Sequence, residues 1–209
     1  QPLGLAFGSG LGIGHMGAAL FGGGGGGGGD AVSAGLDYVN NAPAAALRED
    51  LMRVCHSATW ASTMIEARPF ASVADLKRYA ADFWMAVDEA DWLEGFRGHP
   101  RIGDVDALRK KFAAAKATGA KVWESGEQSG ADGAAEETLV ALRQANVDYE
   151  AKFGFIFLVC ASGKTAEEML AILQSRFPNP RDEEIVVAAG EQNKITMLRL
   201  DKLLAEHGG

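Results

Sequence analysis

Over most of the chain, apolar positions recur every three or four residues, the period of a helix with one buried face. Pro43 suits a first helical turn, and Leu47, Leu51, Met52 and Cys55 continue at that spacing. A second helix is predicted over 58–67, stopped by Arg68 and Pro69. Ser72 followed by Asp75 forms a capping box for a helix over 73–89, with Leu76, Tyr79, Ala80, Phe83 and Val87 as its apolar stripe. A short helix over 91–97 should end at Gly98 in a left-handed terminator. Asp104 caps a helix over 105–118 that closes at Gly119. A long helix over 131–152 buries Leu139, Leu142, Val147 and Tyr149 and stops at Gly154. Thr165 with Glu168 opens 166–176, and Pro180 stands before a last helix over 181–206.

One stretch breaks the pattern. Residues 155–160 are six apolar residues in a row, with the β-branched and aromatic content of a buried strand. No partner strand is visible, and a lone strand leaves its backbone groups unpaired. The segment is therefore expected to be a helical turn or an irregular run whose amides face something useful. The fold class expected is all-α, one domain of about eight or nine helices.

Composition adds a boundary. Residues 1–35 hold 15 of the 27 Gly, including the run Gly22 to Gly29, and no Lys or Arg. Such a run loses much backbone entropy on ordering and has no side chains to bury, so 1–35 reads as a flexible tail and 36–209 as the folded domain. The tail lacks the basic residues of a secretory or transit signal, so the expected compartment is not secretory. No run approaches a membrane span. Cys55 and Cys160 are expected to be buried free thiols.

Charge excludes some functions. The 20 Lys and Arg against 28 Asp and Glu give a net charge of -8, which offers no general field for nucleic acid. A small anionic ligand would need a local cationic site. The glycines at 10, 12 and 14 lack the strand and helix of a dinucleotide fingerprint. Gly163–Lys164–Thr165 imitates the end of a phosphate loop, but Leu158 occupies a position that must be glycine, leaving Lys164 as a solvated turn residue. His15, His56, His99 and His207 are scattered, so no metal is expected.

Three polar positions stand out. His99 precedes Pro100 on a stiff turn between helices, either as a helix-terminal histidine bonded to a carbonyl or as an acid–base group. Glu127 and Gln128 lie in a polar connector, either solvated or recognising amide-like N–H and C=O groups. In the last helix Ala188, Gln192, Ile195, Arg199 and Leu203 share a face, which carries Arg199 toward the core. There it needs an internal salt bridge, perhaps with Glu127, or a substrate carboxylate. Arg176, beside Pro178, is expected to face the surface.

At these residues the chain resembles the 2-oxo-4-hydroxy-4-carboxy-5-ureidoimidazoline (OHCU) decarboxylases, which complete urate breakdown to (S)-allantoin. The resemblance spans about 36–206. It rests on Trp60 with Arg68–Pro69–Phe70, on His99–Pro100–Arg101–Ile102–Gly103–Asp104, and on Glu127–Gln128. It continues through residues 152–161 and Ile195 to Arg199–Leu200. It implies an all-helical fold, usually a homodimer, working without a cofactor in the cytoplasm or peroxisome. By motif, His99, Glu127 and Arg199 match the catalytic residues. Pro100, the 124–128 connector (Glu124, Ser125, Gly126, Gln128) and the backbone of Phe157, Leu158, Val159, Cys160 and Ala161 match the substrate-contacting segments. Where the family often has serine three residues before the glutamate, this chain has Glu124; Ser125 is expected to serve instead, with Glu124 turned outward. Ile156 stands where proline is common. The reading from another class is a helical interaction domain that keeps the fold without activity.

Overall fold

The computed structural model describes residues 28–99, 128–162 and 164–208. Among these there are eight helices and no strand. They are α1 (Gly28–Asn41), α2 (Ala44–Val54), α3 (Ala58–Glu66), α4 (Val73–Ala86), α5 (Glu89–Arg97), α6 (Gln128–Phe153), α7 (Ala166–Arg176) and α8 (Arg181–Glu206). The helix expected over 105–118, with its Asp104 cap and Gly119 stop, lies outside the described residues.

Local chemistry sets most of the boundaries. Ser57, Ser72, Asp88 and Thr165 each accept an amide three residues on, which satisfies an orphan donor at a helix start. Thr165 and Glu168 complete a reciprocal capping box, Glu168 N donating to Thr165 Oγ1 at 3.2 Å and Thr165 N to Glu168 Oε2 at 2.8 Å. After α6 the chain turns at Gly154, whose φ of 80° suits a residue without a Cβ. Gly98 differs from expectation. Its φ of -71° is right-handed, and its missing side chain serves a close approach instead: a Cβ there would lie 2.3 Å from His56 Cβ.

α8 is the spine. It packs against α1, α2, α4 and α5, while α6 pairs with α7 and α3 bridges α2, α4 and α5. α1 starts at Gly28, within the segment expected to be tail, and it reaches α8 closely enough that a Cβ on Gly35 would stand 2.2 Å from the Leu204 carbonyl oxygen. Trp60, Trp84, Phe96, Tyr149 and Phe153 fill the core with Leu47, Leu51, Leu76 and Leu142. The buried indoles keep partners: Trp60 Nε1 donates to Ala80 O at 3.0 Å and Trp84 Nε1 to Ala189 O at 2.9 Å. Val147, expected inside, is 48% exposed; among the described residues α7 is the helix that α6 chiefly packs against.

Arg176 is the clearest departure from expectation, since it is buried. Its Nε and Nη2 meet Glu184 Oε1 at 2.7 and 2.6 Å, and its Nη1 donates to Leu158 O at 2.7 Å. Tyr149 donates its hydroxyl to the same carboxylate, and Asn179 Nδ2 donates to Glu184 Oε2 at 2.7 Å. Burial, then the Glu184 hydrogen bond, drives the Tyr149 phenol well above its usual range, so it stays a donor. This network ties α6, α7, α8 and the 155–160 segment to one point. Removing one partner of a buried ion pair strands the other charge. Glu184→Ala should therefore lower unfolding free energy by about 3–5 kcal/mol. Urea denaturation checks this, and a change within about 1 kcal/mol would contradict it.

Candidate functional site

His99 follows α5 by two residues and is half-buried, its backbone N donating to Phe96 O at 3.1 Å. Its ring forms part of the wall of a cavity of about 470 Å³, together with Leu93, Phe96, Arg97, Glu150, Phe155 and Ile156. The Nε2 edge lies 2.5 Å from Gln192 Oε1 on α8. Gln192 is fully buried, and its Nε2 donates to Thr196 Oγ1 at 3.1 Å and lies 4.0 Å from Cys55 Sγ. Burial pushes the Cys55 thiol up to about 12 against the opposing hydrogen bonds of Thr196 and Gln192 and the charge of Arg199. The thiol is thus a protonated packing group rather than a nucleophile.

Arg199 lies seven positions beyond Gln192, two helical turns along α8. Its Nη1 donates to Val54 O at 3.1 Å and to Arg53 O at 3.4 Å, so the guanidinium sits at the C-terminal, negative end of α2. Among the described residues no carboxylate pairs with it, and its Nε and Nη2 make no hydrogen bond. It opens onto a second cavity of about 250 Å³, lined also by Asp50, Arg53, Lys202 and Glu206. Among the described residues, then, His99 and Arg199 line different cavities. The α2–α3 turn links them: Cys55 touches Gln192, and Val54 holds Arg199. Pro100, Glu124, Ser125, Gly126 and Glu127 lie outside the described residues. Gln128 is the first residue of α6.

Residues 156–161 are irregular, one of the two backbone forms expected for this stretch. Phe157, Leu158 and Val159 bury their side chains, while Cys160 and Ala161 are half-buried. The segment is pinned from both sides. Leu158 O accepts from Arg176, Cys160 N donates to Glu191 Oε2 at 2.7 Å, and Cys160 O accepts from Lys164 Nζ at 2.8 Å. That bond half-buries Lys164, which is not the solvated residue expected. Among the described residues the amides of Phe157, Leu158 and Val159 make no hydrogen bond. Cys55 and Cys160 are both free, as expected, although Cys160 is only partly covered. Among the described residues no cluster of three or more groups could hold a metal, and no helix is long and apolar enough to cross a membrane.

Sequence reasoning placed Gln192 on the right face of α8 but attached no role to it, and it missed Glu191 and Arg176. Gln192 carried a usable signal, since an amide on an apolar helix face must find partners once buried.

The class this defines is an all-helical protein whose histidine is anchored by a buried amide beside a small-molecule cavity. Residues 40–201 match the model of the OHCU decarboxylase family, and the chain belongs to that family. It is 38% identical over 168 residues to the uric acid degradation bifunctional protein TTL of Arabidopsis thaliana, a match covering 78% of this chain and 49% of that one. It therefore spans about half the length of that relative. It is 31% identical over 139 residues to the 2-oxo-4-hydroxy-4-carboxy-5-ureidoimidazoline decarboxylase of Xenopus laevis, covering 64% of this chain and 73% of that one. A crystal structure of OHCU decarboxylase in the presence of (S)-allantoin superposes with a TM-score of 0.56 at 34% identity, covering 74% of this chain and 96% of the other.

Glu191 couples the pinned segment to pH. Burial raises its carboxyl, but the Lys194 hydrogen bond, the Cys160 amide and the charges of Lys194 and Arg176 outweigh burial and hold it below the usual carboxylate value. A depressed carboxylate stabilises the fold above its unfolded pKa and loses that contribution as pH falls through its folded value. The protection factor of the Cys160 amide should therefore be full near neutrality and fall below about pH 4. In Glu191→Ala it should be about tenfold or more lower at neutral pH. Hydrogen exchange measures both, and an unchanged protection factor in the variant would show that Glu191 does not hold the segment.

Proposed function

We propose that this protein decarboxylates OHCU to (S)-allantoin and CO₂, using His99, Glu127 and Arg199 and no cofactor. The observation that carries this reading is His99 itself, fixed at one nitrogen by a buried amide and exposed to a cavity of small-molecule size in a chain of this family.

The chemistry explains why so few groups suffice. The C–CO₂ bond breaks, and its electron pair passes into the adjacent ring C=N, so the substrate is its own electron sink. The hydroxyl on the reacting carbon becomes a carbonyl as its proton leaves. A proton is then delivered to one face of the ureido-bearing carbon. Starting from the carboxylate, one proton is consumed overall. His99 takes the hydroxyl proton and controls the return. Glu127 and Gln128 orient the ureido group, Glu127 through its N–H groups and Gln128 at a carbonyl. Pro100, Ser125, Gly126 and the amides of 157–161 shape the remaining wall, with Glu124 turned away.

Arg199 has a narrower task. A strong grip on the leaving carboxylate would stabilise the ground state and oppose its loss. The useful role is to orient the substrate or to stabilise charge developing on the ring oxygen. In this reading the substrate is shared between His99 and Arg199, and the active form is a homodimer in the cytosol or peroxisome.

The test follows freshly generated OHCU by its ultraviolet absorbance. Wild-type protein should accelerate the decay well beyond the spontaneous rate. His99→Ala should remove about 10²-fold or more of that acceleration while circular dichroism shows an intact helical fold. Arg199→Lys should lose about tenfold or more, since a point charge replaces a planar fork. Near-normal turnover in His99→Ala would defeat the assignment. A wild-type protein with no acceleration would favour the inactive interaction domain.

A further inference from the structure

The His99–Gln192 contact holds more than position. A neutral imidazole carries one proton, on either Nδ1 or Nε2, and the partner of one nitrogen decides which. Gln192 could in principle present its carbonyl or its amino group to His99. In the structure Oε1 faces His99 Nε2 at 2.5 Å, while Nε2 of the amide points the other way, to Thr196 Oγ1 at 3.1 Å and toward Cys55 Sγ at 4.0 Å. All three of these groups are fixed. Gln192, Thr196 and Cys55 are fully buried, and Gln192 and Thr196 are successive turns of one rigid helix.

The carbonyl-facing arrangement has a functional consequence. A carbonyl accepts from Nε2–H whether the ring is neutral or protonated. The reversed amide would offer N–H to Nε2, which works only for a neutral ring and becomes N–H against N–H as soon as the ring is protonated. A histidine that takes up and releases a proton each cycle therefore needs the carbonyl.

We infer that Gln192 is a positioning residue that holds His99 as the Nε2–H tautomer, so that Nδ1 is the nitrogen that takes up and returns the proton. This deepens the decarboxylase reading and rests on it. Gln192 does not touch the substrate; it acts through the ring.

Other charges share the neighbourhood, and the test must be read against them. Arg97 on α5 and Glu150 on α6 border the same cavity. His56 on the α2–α3 turn crowds Gly98, and Arg199 acts on Cys55 from α8. Gln192 Oε1 is the group that meets the Nε2 edge at hydrogen-bond distance.

Nitrogen-15 NMR of the imidazoles in the full chain reads the tautomer directly, with His99 assigned by the signals lost in His99→Asn. Above its titration His99 should show Nε2 protonated and Nδ1 unprotonated. Gln192→Leu should give a mixture of tautomers and lower kcat by about tenfold or more with KM within about threefold. Gln192→Glu places a carboxylate at the same edge and should raise the His99 titration by about one unit or more, moving the acidic limb of the pH–rate profile with it. A packing role alone would lower the yield of folded protein without moving tautomer or titration. An Nδ1–H tautomer in the wild-type protein overturns the inference without any variant. So do an unchanged tautomer in Gln192→Leu and an unmoved titration in Gln192→Glu. A failed decarboxylase reading looks different: no turnover of OHCU by wild-type protein, with the tautomer still locked.

Discussion

Helical spacing on α8 is the constraint on which the rest depends. Polar groups at positions 184, 192, 196 and 199 fall on or beside the face that α8 turns to its neighbours. Glu184, Gln192 and Thr196 are buried there and Arg199 half-buried, so each must find a partner or cost the fold dearly. Thr196 is met within the helix by Gln192, and the other three find partners in other segments: Glu184 meets Arg176 and Tyr149, Gln192 meets His99, and Arg199 meets the end of α2. Satisfying the polar inventory of one helix thus ties it to three others, α2, α6 and α7, and to the turn that carries His99. The same bonds that make burial tolerable place the amide that holds the imidazole and the guanidinium itself two helical turns apart on one helix.

That arrangement suits a reaction in which the substrate supplies the electron sink. Such an enzyme needs orientation and a well-placed proton more than it needs reactive groups. The irregular segment at 156–161 offers backbone amides, which cannot titrate and which keep their direction once the chain is pinned. Arg176, Glu191 and Lys164 pin it from three directions. Its apolar side chains, packed inward, leave the backbone as the chemically useful part.

Much of the scaffold was legible in the sequence because its signals are local. Ser72, Thr165 with Glu168, and Gly154 mark helix ends through contacts within three or four residues, and the periodicity placed Leu142 and Tyr149 inside. What stayed hidden depends on partners far along the chain. Gln192 is 93 residues from His99, and Arg176 lies 18 from Leu158. No window of sequence shows that an arginine beside a proline will be drawn inward by a glutamate and a carbonyl. Gly98 shows the same limit in reverse: the glycine was read as a conformational need, but a passing side chain explains it. The motif match supplied His99 and Arg199 as residues. What only the fold adds is that α8 binds one and carries the other.

Handedness of the product tests this account most directly. OHCU also decays unaided, without a chiral surface to choose the face of protonation. Circular dichroism of fresh OHCU with the wild-type protein should develop the signal of (S)-allantoin alone, faster than the unaided decay. Racemic allantoin formed at the unaided rate would mean that no histidine in this fold delivers the proton, and the account would be wrong.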